Sequence, residues 1–234
     1  MKKIIKAGSL VLLTAIVLFI TISCSKNKDA GAVTNSILPG LDIAAIQAQI
    51  DGLPAEPLSE AEKNSLLFMR EEEKMARDVY KAMFTKWNTA IFSNIASSEQ
   101  THMDAILMLL KKYELEDPVT ANGPGVFTNQ LLQNLYNQLI LRGNISIAGA
   151  CKVGASIEEL DISDLATALV TVDNQDIIMV YNNLARGSRN HLRSFYKKIL
   201  WAGETYTPQY LTQAAFDAIV NSPMETGNPW QGWK

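Results

Sequence analysis

Six acidic and histidine side chains stand at positions where a helical bundle would bury its residues. In an amphipathic bundle helix the buried positions recur at intervals of three and four residues. On that spacing, the apolar stripes of four segments are each interrupted near the middle by a carboxylate or an imidazole. The interrupting residues are Glu73, Glu99, His102, Glu158, Asp161 and His191. Both histidines of the chain belong to this set.

Four carboxylates in one apolar interior indicate bound cations. An unpaired buried carboxylate costs several kcal/mol or takes up a proton. Two divalent ions would balance four negative charges, and ligands of the carboxylate and imidazole type suit iron, manganese or zinc. Di-iron carboxylate bundles use a glutamate from each of two helices and Glu-x-x-His from the other two. Glu99 and His102 have that Glu-x-x-His spacing.

A structural interpretation stays open beside the metal interpretation. Four arginines lie within about one turn of these acids, namely Arg70, Arg77, Arg189 and Arg193. They could pair with the carboxylates in a network that fixes the helix register of a non-catalytic bundle, which would then bind a partner. Storage or sensing of metal without turnover is a third alternative.

For residues next to these six in the sequence we expect structural roles. We expect Glu71 and Glu72 to be solvated or capping charges, because the stripe through Glu72 is less apolar than the stripe through Glu73. Glu159 is expected on the surface beside Glu158. Cys151 is expected to be a small buried residue.

The elements that must position these residues are helices. The sequence from Ser59 to Glu62 is a capping box, which predicts a helix from Glu60 to about residue 86. Further helices are predicted at about 91–113, 129–142, 147–171, 174–202 and 209–221. No strand pattern or internal repeat is visible. Four long helices with short connectors predict an all-α bundle.

The amino-acid composition restricts the classes of protein to which the chain can belong. The chain has 234 residues, of which 47% are hydrophobic and 19% charged, with a formal net charge of −3. These values fit one compact domain with short extensions and exclude wholesale disorder. A pI near 5.5 argues against non-specific binding to nucleic acid. Two cysteines cannot form a disulfide framework.

Residues 1–24 have the pattern of an export signal. Three lysines precede an apolar run from Ala7 to Ile22, which is short for a membrane-spanning helix. The pattern looks like a bacterial lipoprotein signal in which Cys24 becomes the lipidated first residue. It departs at Thr21, where leucine is commoner. We therefore expect a membrane-anchored lipoprotein of the cell envelope, facing the periplasm or the outside.

The predicted organisation has four parts. Residues 1–23 are the signal peptide, and residues 24–57 are a tether with one short helix at about 41–50. Residues 58–222 form the helical bundle, and residues 223–234 form an irregular tail.

Four stretches of sequence carry a resemblance to a known family. They read FMREEEKMARDVY, SNIASSEQTHMDAI, GASIEELDISDL and ARGSRNHLRSFY. Over about residues 58–222 the chain resembles an uncharacterised ferritin-like family of bacteria and archaea (domain of unknown function 2202). The resemblance implies a ferritin-like four-helix bundle with an extra short helix in the long crossover and a short C-terminal helix. Glu73, with Arg77 and Tyr80 after it, is also similar to the first-helix motif of rubrerythrins.

The resemblance implies a di-metal centre that does redox work on oxygen, peroxide or ferrous ion. Iron is the first expectation, with manganese or zinc as alternatives, and a dimer is one assembly left open. One departure stands out, because Ser188 occupies the place of the last-helix glutamate, three residues before His191. Asp161 can supply the missing carboxylate. The residues expected to support the centre are Ser188, Tyr80, Tyr181 and Arg77.

Overall fold

The computed structural model describes residues 43–119 and 121–226, and all of them belong to one compact unit. It contains α1 (Ile43–Asp51), α2 (Glu60–Trp87), α3 (Ala90–Lys112), α4 (Gln130–Gly143), α5 (Ile147–Ala168), α6 (Gln175–Trp201) and α7 (Gln213–Val220). These described residues include no strand, so the all-α prediction is confirmed. The predicted signal peptide, Cys24, the first part of the tether and the last residues of the tail lie outside them.

The capping box predicted at the start of α2 is confirmed. The Ser59 hydroxyl accepts a hydrogen bond from the backbone N–H of Glu62, and the Glu62 carboxylate accepts one from the Ser59 N–H. The same carboxylate accepts hydrogen bonds from the N–H groups of Asp173 and Asn174, just before α6. One buried glutamate thereby fixes the beginnings of two long helices side by side.

The short last helix begins later than the sequence predicts. It starts at Gln213, after the Thr212 hydroxyl caps it, instead of at residue 209. The backbone N–H groups of residues 209–211 donate to the buried Glu159 carboxylate instead of entering a helix. The other helix ends lie within about three residues of their predicted positions.

Four long helices surround two apolar clusters. Helix α2 packs against α3, α5 packs against α6, and further contacts join α2 to α5 and α3 to α6. One apolar cluster includes Tyr80 and Phe195, and the other includes Leu66 and Leu184. Along α2, α3 and α6, the polar residues singled out above occur where one cluster gives way to the other.

The shorter helices pack on the outside of these four. Helix α4 contacts α2 and α5, and α7 contacts α6. The short helix predicted near residues 41–50 is present as α1, which buries Ile46 and Ile50 against α3. Among the described helices, none has an apolar stretch of the length that a membrane crossing requires.

Candidate metal centre

Helices α2, α3, α5 and α6 bring carboxylates and imidazoles into one buried cluster. Glu99 lies at its middle, with one carboxylate oxygen 2.7 Å from Nδ1 of His102 and the other 2.9 Å from Nδ1 of His191. The two imidazole rings are stacked with their centroids 5.7 Å apart. A single carboxylate therefore lies between the two histidines of the chain.

The cluster divides into two triads that share this carboxylate. Glu73, Glu99 and His102 form one triad, and Glu99, Glu158 and His191 form the other. In each triad one potential ligand atom from every residue lies within 4.8 Å of the others, and all five residues are buried. The structure thus shows buried Glu and His groups close enough to hold a metal ion at two adjacent positions.

The histidines present the same ring nitrogen to the cluster. Nδ1 of His102 lies 3.2 Å from Glu73 Oε2, and Nδ1 of His191 lies 3.3 Å from Glu158 Oε2. On the opposite side of its ring, Nε2 of His191 lies 3.0 Å from the Ser98 hydroxyl. Such outer contacts fix the tautomer and ring orientation of metal-ligating histidines. Nδ1 is therefore the nitrogen placed to bind a cation.

Unpartnered carboxylate oxygens show that the cluster fits a cation. Buried oxygens without a hydrogen-bond donor occur in Glu72 (both atoms), Glu73 and Asp161, whereas both oxygens of Glu99 lie against histidine Nδ1 atoms. A small cavity of about 10 Å³ lies among these carboxylates. A space of that size holds about one water molecule. Residues that line it carry oxygens without the donors that buried polar groups normally have.

Other buried acids of the chain have ordinary partners. Glu71 accepts hydrogen bonds from the backbone N–H groups of Thr128 and Asn129, before α4, so it is a capping residue that is buried and not solvated. Glu159 was expected on the surface, and this prediction is wrong, because the residue is fully buried beneath residues 206–211. The lack of donors is therefore a property of the cluster and not of buried acids in general.

The expectation that Glu72 is solvated or capping is also wrong. Its relative exposure is 2%, and its carboxyl group interacts with that of Asp164 and with no arginine or lysine of the described residues. Helix α2 contacts α3, α4 and α5, so it is covered on more than one face, and every residue from Met69 to Ala76 is buried. Burial, followed by the nearby carboxylates of Asp161 and Asp164, raises the pKa of Glu72 well above its usual range.

Burial and the neighbouring charges have opposite effects on several pKa values in the cluster. Burial raises the pKa of Glu73 and of Glu158, and it contributes most to raising the pKa of Asp161 to about 7. Burial alone would lower the pKa of His191, but the carboxylates of Glu99 and Glu158 outweigh it and raise that pKa to about 10. Burial also opposes the charge of Glu99, but the two imidazoles outweigh it and lower its pKa. Burial therefore favours the neutral carboxyl groups, whereas the contacts between Glu99 and the histidines favour the charged forms.

Asp161 lies beside the two triads without belonging to either. The Ser188 hydroxyl donates a hydrogen bond to Asp161 Oδ2, while Oδ1 is without a partner and the residue lines the cavity. Ser188 of α6 therefore supports a carboxylate supplied by α5. Likewise, the Tyr80 hydroxyl donates to Glu158 Oε1.

Two residues expected to support the centre contact other groups. Tyr181 belongs to the second apolar cluster, and its hydroxyl lies 2.8 Å from the hydroxyl of Ser65. The Arg77 guanidinium forms an ion pair with Asp78 at 2.8 Å. Cys151 is buried as predicted, and burial raises the pKa of its thiol to about 11.

The arginines that could have neutralised the acids have partners elsewhere. Arg70 binds Asp117 in the segment after α3, at 2.9 Å. Arg189 and Arg193 both bind Glu225, beyond α7. These arginines thus pair with acids outside the cluster, and not with its carboxylates as an arginine–carboxylate network would require.

Gly187 permits the close approach of α6 to His102. A Cβ atom at residue 187 would lie 2.6 Å from His102 Nε2, which is shorter than real contacts of this kind. We expect Gly187→Ala to displace the ring and to reduce the amount of metal bound per chain, measured by metal analysis after desalting. Gly123→Ala is the matched control, because a Cβ there would meet nothing within 4 Å. Full metal content in Gly187→Ala would contradict the placement of His102.

Comparisons with known proteins agree with one another. The sequence profile of a family described as an uncharacterized protein domain (DUF2202) matches residues 62–223. The uncharacterized protein MJ0754 of Methanocaldococcus jannaschii is 49% identical over 178 residues, which are 76% of this chain and 96% of the relative. A crystal structure of the hypothetical protein MJ0754 from Methanococcus jannaschii DSM 2661 superposes with a TM-score of 0.72 at 50% identity, and covers 74% of this chain and 99% of its own.

Proposed function

Taking as a premise that the chain belongs to the DUF2202 family, we propose that it is a ferritin-like protein that holds two first-row metal ions, of which iron is the first candidate. The observation that carries the proposal is the sharing of Glu99 by two buried triads. A carboxylate between two ions keeps them adjacent, and the imidazole of each triad suits iron, manganese and zinc alike.

The charges support two ions rather than one. Glu73, Glu99, Glu158 and Asp161 carry four negative charges when ionised, and two divalent ions balance them with the histidines neutral. Glu73 and His102 would help to hold one ion, Glu158 and His191 would help to hold the other, and Glu99 belongs to both sets. Asp161, held by Ser188, is the adjacent carboxylate that can complete the set.

Bound iron would supply electron exchange with oxygen, peroxide or ferrous ion. The protein's contribution is to position and shield the ligands. Tyr80 orients the Glu158 carboxylate, and Ser98 orients the His191 ring. The cavity among the carboxylates admits nothing larger than a small molecule. The reactants suited to this site are therefore small oxidants and metal ions.

The arrangement of helices supports the ferritin-like part of the proposal. The helices that supply the ligands are the four long ones, and they contact one another as the pairs α2–α3, α5–α6, α2–α5 and α3–α6. Helix α4 lies in the connection between the two halves, and α7 follows the last long helix. Helices α2 and α5 each supply one glutamate. They face α3, which carries Glu-x-x-His, and α6, which has a serine in the place of that glutamate.

Elemental analysis of protein purified without a histidine tag tests the proposal directly. Two equivalents of a first-row metal are expected per chain, with iron foremost. Oxygen consumption after addition of Fe²⁺ to the metal-free protein would distinguish turnover from storage or sensing. Less than one tenth of an equivalent of metal, together with unchanged melting on addition of Fe²⁺, would contradict the proposal and favour a structural role for the cluster.

Envelope attachment is a separate part of the proposal and rests on the sequence of residues 1–24. We expect Cys24→Ser to release the protein from the membrane fraction of producing cells, because the thiol is the predicted site of lipid attachment. Immunoblotting of the membrane and soluble fractions measures this. An unchanged membrane fraction would contradict lipid anchoring without bearing on the metal centre.

A further inference from the structure

Large apolar side chains are exposed at one end of the bundle, where α2, α4 and α6 end and α5 begins. Nε1 of Trp87 donates to the Gly143 carbonyl group at 2.9 Å. Lys152 of α5 forms an ion pair at 2.9 Å with Glu204, just after α6. We call this region the Trp201 end, and its apolar residues, with relative exposures from 44% to 80%, are Leu141, Ile145, Ile147, Leu200 and Trp201. A monomeric protein rarely exposes such a group unless it contacts a partner.

The Trp201 end is also basic, although the chain as a whole has a formal net charge of −3. Three stretches of the sequence contain no aspartate or glutamate, namely 79–98, 118–157 and 177–203, and all three contribute to this end. The basic residues near the helix ends there are Lys86, Arg142, Lys152, Lys197 and Lys198. Nζ of Lys198 lies 4.7 Å from the centre of the Trp201 ring. Positive charge therefore accompanies the exposed apolar residues.

Exposed acids collect at the opposite end of the bundle. There α3 ends and α6 begins, because Lys112 forms an ion pair with Asp176 at 2.6 Å. The exposed acids of this end are Asp51, Glu56, Glu60, Glu114, Glu116 and Asp173. The 28 residues of α2 span about 42 Å, so the two groups of charges are well separated. An anionic surface is therefore attracted to the Trp201 end and repelled by the other end.

We infer that the Trp201 end binds the surface of an anionic lipid bilayer, with its apolar side chains among the headgroups and its basic side chains against the lipid phosphates. A bilayer is an anionic surface that also accepts indole and aliphatic side chains, and tryptophan and lysine are both favoured at the boundary between water and lipid. Each basic residue close to such a surface adds to the attraction. This contact is separate from the metal centre and from the proposed lipid attachment at Cys24.

Fluorescence quenching by vesicles with brominated acyl chains tests the inference on the full-length chain. Bromine quenches only the indole rings that lie in the bilayer, and residues 1–24 contain no tryptophan, so membrane insertion of the N-terminus gives no signal. Vesicles that mix phosphatidylglycerol with phosphatidylcholine should quench about one quarter of the emission, because Trp201 is one of four tryptophans. Trp201→Phe should lose this quenching. Vesicles of phosphatidylcholine alone, or high salt, should give little of it.

Paired charge variants measure the contribution of the basic residues. Arg142→Gln combined with Lys197→Gln removes two exposed charges from the Trp201 end and should lose roughly half or more of the quenching by phosphatidylglycerol vesicles. Lys63→Gln combined with Lys111→Gln removes two charges from the opposite end. This second pair is the matched control and should behave as wild type.

The other outcomes would overturn the inference. Equal quenching of wild type and Trp201→Phe would show that Trp201 lies outside the bilayer. Equal quenching by the two kinds of vesicle, or in the two paired variants, would show that anionic lipid is not recognised. A dimer in sedimentation equilibrium that Ile145→Ser dissociates, without quenching by either kind of vesicle, would assign the Trp201 end to contact with a second copy of the chain.

Discussion

Replacing Glu99 with alanine is expected to remove both of the proposed metal ions from the chain. Glu99 belongs to both triads and lies within 3 Å of both Nδ1 atoms, so the change removes a ligand from each position at once. Metal analysis after desalting, and a titration of the metal-free variant with Fe²⁺ under anaerobic conditions, measure the effect. Retention of two equivalents by Glu99→Ala would show that the ions are bound elsewhere.

Glu73→Ala is the matched comparison, because Glu73 belongs to only one triad. We expect it to lose one ion and keep the other. The metal-free form of Glu99→Ala is expected to retain its helices, since the two histidines can become neutral once the carboxylate between them is removed. Circular dichroism separates this outcome from unfolding. Equal losses of metal in the two variants would contradict a shared role for Glu99.

The ligand candidates could be predicted from the sequence because each helix has one dominant apolar stripe there. Glu73, Glu99, His102, Glu158 and His191 were predicted as interruptions of such stripes, and the structure brings all five into one buried cluster. The three-and-four spacing decides which residues face inward even before the neighbouring helices are known. The positions of functional residues followed from the same periodicity that predicts the fold.

Glu72 could not be predicted this way because α2 has more than one buried face. A stripe analysis assigns one inward face to each helix, but α2 contacts α4 and α5 as well as α3. The same limit applies to Glu159 in α5, which lies beneath the chain after α6. Burial of a second face depends on where connecting segments pack, and the sequence of the helix itself does not contain that information.

The partners of the arginines were unpredictable for a related reason. Proximity along the sequence placed Arg70 and Arg193 near the acids of the cluster. Their carboxylate partners come instead from Asp117 and Glu225, which are more than 30 positions away in each case. A long side chain on a helix can turn to either side of its stripe. Only the packing of the loops decides which acid it meets.

The buried ion pair of Lys74 and Asp78 gives the largest expected effect on stability. The two side chains are one turn apart in α2, 2.8 Å from each other, with relative exposures of 3% and 1%. Asp78 also accepts a hydrogen bond from the N–H of Gly125, and Lys74 donates to the carbonyl groups of Gly123 and Val126. The pair thereby attaches the segment before α4 to α2.

Asp78→Ala is expected to lower the free energy of unfolding by about 3–5 kcal/mol, because it leaves the ammonium group of Lys74 buried without its carboxylate. Urea denaturation of the metal-free protein measures the loss, and Glu116→Ala, at an exposed site, should change it by less than about 0.5 kcal/mol. In a Lys74→Met background the cost of Asp78→Ala should be smaller. An equal cost in both backgrounds would show that the loss comes from the loop contact and not from the stranded charge.

The same pair predicts the direction of a pH dependence. Burial opposes the charge of Asp78, but Lys74, the Gly125 N–H and Arg77 outweigh it and lower its pKa. A carboxyl group whose pKa is lower in the folded chain contributes its full stabilisation above the unfolded pKa of about 3.9, and this stabilisation is lost as the pH falls through the folded value. The difference in stability between wild type and Asp78→Ala should therefore be largest near neutral pH and shrink below about pH 4. A difference that stays constant down to pH 2 would contradict the assignment of the charge to Asp78.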